Sequence, residues 1–100
     1  MFGLKQNDID KIKTVLEKYS SIEKAILYGS RAKGNNQKGS DTDLTLVGNS
    51  IAFSELLKIE NDLDDILLPY QFDVSIFHKI DNPELITHIE RIGIEFYVKK

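Results

Sequence analysis

Apolar residues recur along this chain at two different spacings, and the change from one to the other marks its elements. Over residues 8–19, Ile9, Ile12, Val15, Leu16 and Tyr19 are three or four positions apart, with lysines and glutamates between them. That is the period of an amphipathic helix, and Asn7 or Asp8 stands where a side chain can cap its start. Residues 24–28, Lys-Ala-Ile-Leu-Tyr, form a short apolar run closed by Gly29, the length of a buried strand. Residues 43–47, Asp-Leu-Thr-Leu-Val, alternate at period two and predict a second strand, which Gly48 and Asn49 end.

The helical period returns over residues 52–67, where Phe53, Leu56, Leu57, Leu63, Ile66 and Leu67 make the apolar stripe and Pro69 stops the helix. Glu60, Asp62 and Asp64 fall mostly off that stripe, and the acidic run with Asp65 reads as a solvated face. Residues 72–77, Phe-Asp-Val-Ser-Ile-Phe, predict a third strand. Asn82-Pro83 is a capping residue followed by proline at the first helical position, so a third helix is expected to about Arg91. Gly93 ends it, and Ile94 to Val98 suggest a last short strand.

This order predicts an α/β (α+β) fold in one domain over residues 1–100, a small mixed sheet with helices mainly on one face. The strand–loop–strand piece from 24 to 47 is its unusual part. Residues 29–42 hold three glycines, two asparagines and two serines, which reads as a loop with room for one helical turn after Ser30. A loop of that length inside a compact domain tends to be functional.

Composition narrows the possible roles. The chain has 100 residues, 41% hydrophobic and 29% charged, an ordinary globular balance rather than a disordered one. At that size there is one core and no room for a second domain to hold a bulky acceptor. The absence of cysteine excludes disulfides and thiolate metal sites. No basic region followed by an apolar run opens the chain, and no apolar stretch is long enough to span a bilayer, so a cytoplasmic protein without membrane contact is expected. The formal net charge of −3 argues against strong, non-specific nucleic-acid binding.

Candidate chemistry concentrates in the polar loop. Asp41 and Asp43 are two apart where strand geometry begins, so alternation turns both to the same face. Two close carboxylates repel unless a cation lies between them, and carboxylate oxygens completed by substrate phosphates suit magnesium. Gly29-Ser30 directly follows the first strand; glycine lets the backbone approach an anion, and hydroxyl and amide groups can donate to phosphate oxygens. Arg31 and Lys33 add positive charge beside it. Each half alone is also compatible with an ordinary turn. Asp73, in an otherwise apolar strand, is either a water-facing edge residue or, if its strand lies beside 43–47, a third carboxylate for a two-metal clamp.

Taken together, Gly29-Ser30, the ten residues from Arg31 to Ser40, Asp41-Thr42-Asp43, and Asp73 within Phe-Asp-Val-Ser-Ile resemble the minimal nucleotidyltransferases of the DNA polymerase beta-like superfamily. The Gly-Ser-Arg-Ala-Lys-Gly and Ser-Asp-Thr-Asp-Leu stretches look typical of that family, and the resemblance covers nearly the whole chain. It implies the nucleotidyltransferase fold, ATP as substrate, two Mg2+ ions, and transfer of AMP to an acceptor hydroxyl with loss of pyrophosphate. It also implies roles: Asp41 and Asp43 binding both metals, Asp73 binding the catalytic one and helping to deprotonate the acceptor, Gly29 and Ser30 holding the triphosphate, and Arg31, Lys33 and Ser40 near its phosphates. Such proteins are often encoded beside an all-helical HEPN-type protein that resembles an RNA-cutting toxin. The resemblance then implies an antitoxin that adenylylates its partner.

Two other functions stay open at this point. One is an antitoxin that binds and occludes its partner without catalysis; the other is nucleotidyl transfer to a small molecule or a nucleic-acid end. His78 and His88 form no metal-like cluster and read as surface or helix-face residues. Tyr28 reads as a packing residue, and Phe72, Phe77, Phe96 and Tyr97 as core or interface.

Overall fold

The computed structural model describes residues 4–29 and 41–100. Three helices are seen there, α1 (Gln6–Glu17), α2 (Phe53–Asp65) and α3 (Pro83–Ile92), with four strands, β1 (Lys24–Tyr28), β2 (Thr42–Val47), β3 (Phe72–Ile76) and β4 (Ile94–Val98). A single 3-10 turn over Phe77–Lys79 follows β3. Each element expected from periodicity is present, with ends displaced by one or two residues, as helix ends and strand starts commonly are.

The strands form one sheet in the order β3-β2-β1-β4. β1 pairs antiparallel with β2 and β4, whereas β2 and β3 run parallel. The parallel pair is possible because α2 carries the chain back across the sheet between them. Thr42 opposes Phe72 and Asp43 opposes Asp73 in this pairing.

The core lies between one sheet face and helices α1 and α2. Ile9, Ile12, Val15 and Leu16 of α1 and Leu56, Ile59 and Leu63 of α2 pack on Ala25, Leu27, Leu44, Leu46, Val74, Ile76 and Phe96. The other face is partly covered by α3, whose end approaches Ile26 of β1 at Gly93 and whose His88 meets Tyr28. Asn82 caps α3 as expected, its side chain accepting from the amides of Glu84 and Leu85.

Three local expectations are corrected. The cap of α1 is Lys5, which makes no side-chain capping bond; Asp8 sits in the first turn, buried, and accepts a hydrogen bond from the Tyr70 hydroxyl at 2.9 Å. The apolar stripe of α2 is also narrower than its sequence suggests. Phe53 and Leu57 are exposed, and Ile59 takes the buried position, because Leu56, Ile59 and Leu63 are the residues the helix turns toward the sheet. Leu67 lies beyond α2 and is 88% exposed, with φ of 53°. Finally, Tyr19 falls outside α1, yet still packs against the core and donates a hydrogen bond to Asp62 of α2, tying that acidic residue to the fold.

Among the described residues, no helix is long and apolar enough to cross a membrane.

Candidate functional site

The face of the sheet opposite α1 and α2 carries a cross-strand row of polar side chains. Tyr28 of β1 opposes Asp43 of β2, and Asp43 opposes Asp73 of β3. Strand alternation puts all three on one face, and directly opposed residues have Cβ atoms about 5 Å apart. The conditional expectation about Asp73 is thereby met in its geometric part: its strand does lie beside β2, and it is the direct neighbour of Asp43. Asp73 is exposed and Asp43 half-buried.

Asp41 precedes β2 and is exposed. Thr42, between the two aspartates, points the other way and is fully buried, as alternation requires. Its backbone amide donates to the Gln71 carbonyl at 2.7 Å, which helps to set the start of β2 against the segment entering β3. Its Oγ1 has no hydrogen-bond partner among the described residues. Also among the described residues, no three His, Asp or Glu side chains gather as a closed metal cluster. Asp43 and Asp73 are brought together, and Asp41 stands at the strand entrance above them.

Gly29 is placed by necessity. Its φ is +80°, and a Cβ on it would stand 2.3 Å from Oδ2 of Asp43. Only glycine combines that backbone with that clearance, so the residue that ends β1 makes the space that the Asp43 carboxylate occupies. Ser30, Arg31, Lys33 and Ser40, together with the helical turn expected after Ser30, lie outside the described residues.

One row further along the strands, Ile26, Thr45 and Ser75 face the same way. Ser75 Oγ donates to Thr45 Oγ1 at 3.0 Å. Tyr28 is buried, its ring meeting His88 edge-on with centroids 6.3 Å apart and planes at 82°. Burial raises the Tyr28 pKa above its usual value of 10.0; the nearby Ser75 hydroxyl opposes this, and the charges of Asp73 and Asp43 reinforce it.

Sequence reasoning missed this hydroxyl layer. A signal for it was present, since Thr45 follows Asp43 and Ser75 follows Asp73 at the same two-residue step. Reading them as a layer requires the β2–β3 register. His88 was expected on a helix face, which it occupies, but its contact with the residue ending β1 could not be read from its spacing.

The donor set suits a hard cation. Two carboxylates sit side by side at one edge of the row, oxygen is the ligand type such cations take, and the missing side chain at Gly29 leaves one of those carboxylates room. The same carboxylates hold one another apart unless a positive charge lies between them.

Residues 10–100 match the family model for the polymerase beta nucleotidyltransferase domain. None of the curated proteins matches the chain. Solved structures show the same fold at low identity. One is a toxin–antitoxin complex with AMP-PNP, 16% identical with a TM-score of 0.73 over 97% of this chain and 76% of that one. Another is the MntA–HepT toxin–antitoxin, 14% identical with a TM-score of 0.70 over 95% of this chain and 74% of that one. A third is a tri-AMPylated Shewanella oneidensis HEPN toxin in complex with its MNT antitoxin, 14% identical with a TM-score of 0.71 over 96% of this chain and 74% of that one.

Proposed function

The chain belongs to the polymerase beta nucleotidyltransferase family, and from that premise we propose that it moves AMP from ATP to a hydroxyl of an all-helical HEPN-type protein, acting as that protein's antitoxin. The observation that carries the reading is the adjacency of Asp43 and Asp73 beside Gly29. The choice of partner is supported by the structures of like fold, which include a HEPN toxin bound to an MNT antitoxin and carrying AMP.

Asp41, Asp43 and Asp73 are the residues that would hold magnesium, two ions in the full site. Bound there, the metal would neutralise charge on the phosphates and lower the barrier to attack by the acceptor hydroxyl. Gly29 and Ser30 would let the triphosphate approach the end of β1, with Arg31 and Lys33 to offset its charge and the Ser40 hydroxyl to donate to a phosphate oxygen. Asp73, the exposed member of the pair, is the carboxylate an incoming acceptor would meet, and it would take the proton that the hydroxyl loses.

Incubation with labelled ATP, Mg2+ and the protein encoded by the neighbouring gene tests the proposal. Label on the partner is expected, and mass spectrometry should find added AMP. An unlabelled partner after incubation with folded protein would overturn it. Asp43→Asn should lose the label while its circular dichroism stays unchanged. If that variant still neutralised the partner, occlusion rather than transfer would be the function.

A further inference from the structure

The row that holds the carboxylates continues off the sheet onto α3. Asp73, Asp43 and Tyr28 follow one another across β3, β2 and β1. The Tyr28 ring then meets the His88 ring edge-on, with centroids 6.3 Å apart. His88 is half-buried and brings α3 to the β1 end of the row.

A groove opens on α3 at that place. It has a volume of about 470 Å³ and is lined by Pro83, Glu84, Thr87, His88 and Arg91, a size within the range of small-ligand sites. Glu84, Thr87, His88 and Arg91 recur at steps of three or four, so they form one stripe along the helix. It flanks the stripe that carries the buried Ile89.

The charges of this stripe are uncommitted. Glu84 and Arg91 are exposed, and among the described residues neither is in a salt bridge. The stripe therefore presents an imidazole and a guanidinium, planar groups on which a base stacks, beside a carboxylate that accepts from hydroxyl and amino groups. Its place in the row also separates the two substrates. Asp73 is exposed on β3, an edge strand, where the acceptor would arrive. Gly29, where the triphosphate would approach, follows Tyr28 at the other end, and α3 lies on that side.

We propose that this stripe of α3 is the nucleoside subsite: His88 and Arg91 pack against the base, and Glu84 accepts hydrogen bonds from the hydroxyl and amino groups of the nucleoside. This rests on the reading of the row as a nucleotidyltransferase centre and adds the residues that would hold the half of the nucleotide away from its phosphates.

The test compares two probes by calorimetric titration in Mg2+: AMP-PNP, which has the nucleoside, and inorganic tripolyphosphate, which lacks it. The variants are His88→Ala, His88→Phe, Arg91→Ala and Glu84→Ala, with Glu90→Gln as a control on the same helix outside the groove and thermal unfolding measured on each. His88→Ala, Arg91→Ala and Glu84→Ala should each weaken AMP-PNP binding by about ten-fold and leave tripolyphosphate binding native-like. His88→Phe keeps a ring for stacking and should bind AMP-PNP nearly as the native protein does, as should Glu90→Gln. Native-like AMP-PNP affinity in any of the three alanine variants would overturn the assignment, and so would equal losses for the two probes, which mark a phosphate contact or a damaged fold. If the native protein bound AMP-PNP no more tightly than tripolyphosphate, the subsite alone would fall. If it bound neither, the nucleotidyltransferase reading would fall and the subsite with it.

Discussion

Asp43 and Asp73 occupy the same register position on the parallel neighbours β2 and β3. Two like charges directly opposed across a sheet oppose folding, and such a pair persists where something other than stability requires it. Replacing Asp73 by Asn should therefore raise unfolding stability by about 0.5 kcal/mol at low salt while abolishing transfer. Mg2+ should then stabilise the native protein and not the variant, because only a ligand of the folded state shifts the unfolding equilibrium. Urea unfolding with and without Mg2+ checks both halves.

Gly29→Ala carries two independent penalties. A non-glycine residue at φ of +80° is strained, by about 1–2 kcal/mol, and its Cβ would collide with Oδ2 of Asp43. Loss of stability is expected together with loss of Mn2+ binding. Strain alone would leave the metal affinity of the folded fraction unchanged, so a titration performed well below the melting temperature separates the two effects.

Thr42→Val should stabilise the protein. The Thr42 hydroxyl is fully buried without a partner among the described residues, and removing such a group while keeping the shape recovers about 1 kcal/mol or more. Its backbone bond to Gln71 does not depend on the side chain. A melting temperature that rises, with transfer activity retained, is the expected outcome; a fall would mean that the hydroxyl is used.

Leu67 adopts a left-handed backbone just past the end of α2, with its amide bonded to the Asp64 carbonyl at 3.1 Å and its side chain in water. That is the position where helices favour glycine. Leu67→Gly should stabilise by about 1 kcal/mol, which denaturant unfolding would detect.

Tyr19 titrates late, its pKa pushed up to about 12 by burial first, then by its hydrogen bond to Asp62 and the charges of Asp62 and Glu55. The folded state thus holds a proton that the unfolded chain releases near pH 10. Between about pH 10 and 12 the unfolded state binds fewer protons, so stability falls as pH rises, and the contribution is complete below pH 10. Unfolding measured at pH 9 and pH 11 should show this slope, and Tyr19→Phe should reduce it.

The sequence by itself determined the element order, the polar loop between β1 and β2, and the family. Those rest on local facts: apolar spacing that fits one period or the other, Asn82-Pro83 opening α3, Gly29 at the end of β1, and a signature of constant spacing from Gly29 to Asp43. The tertiary structure decided the rest, because it depends on which distant residues meet. Only the parallel register of β2 and β3 makes Asp73 the neighbour of Asp43 rather than a lone edge charge. The direction in which α2 faces the sheet buries Ile59 and leaves Phe53 and Leu57 in water, though all are apolar at helical spacing. Asp8 has the composition of a helix cap and instead meets Tyr70, a contact across more than half the chain. Tyr28 read as packing because its spacing says nothing of its neighbours; strand pairing is what sets it in the row of Asp43 and Asp73, with its ring against His88.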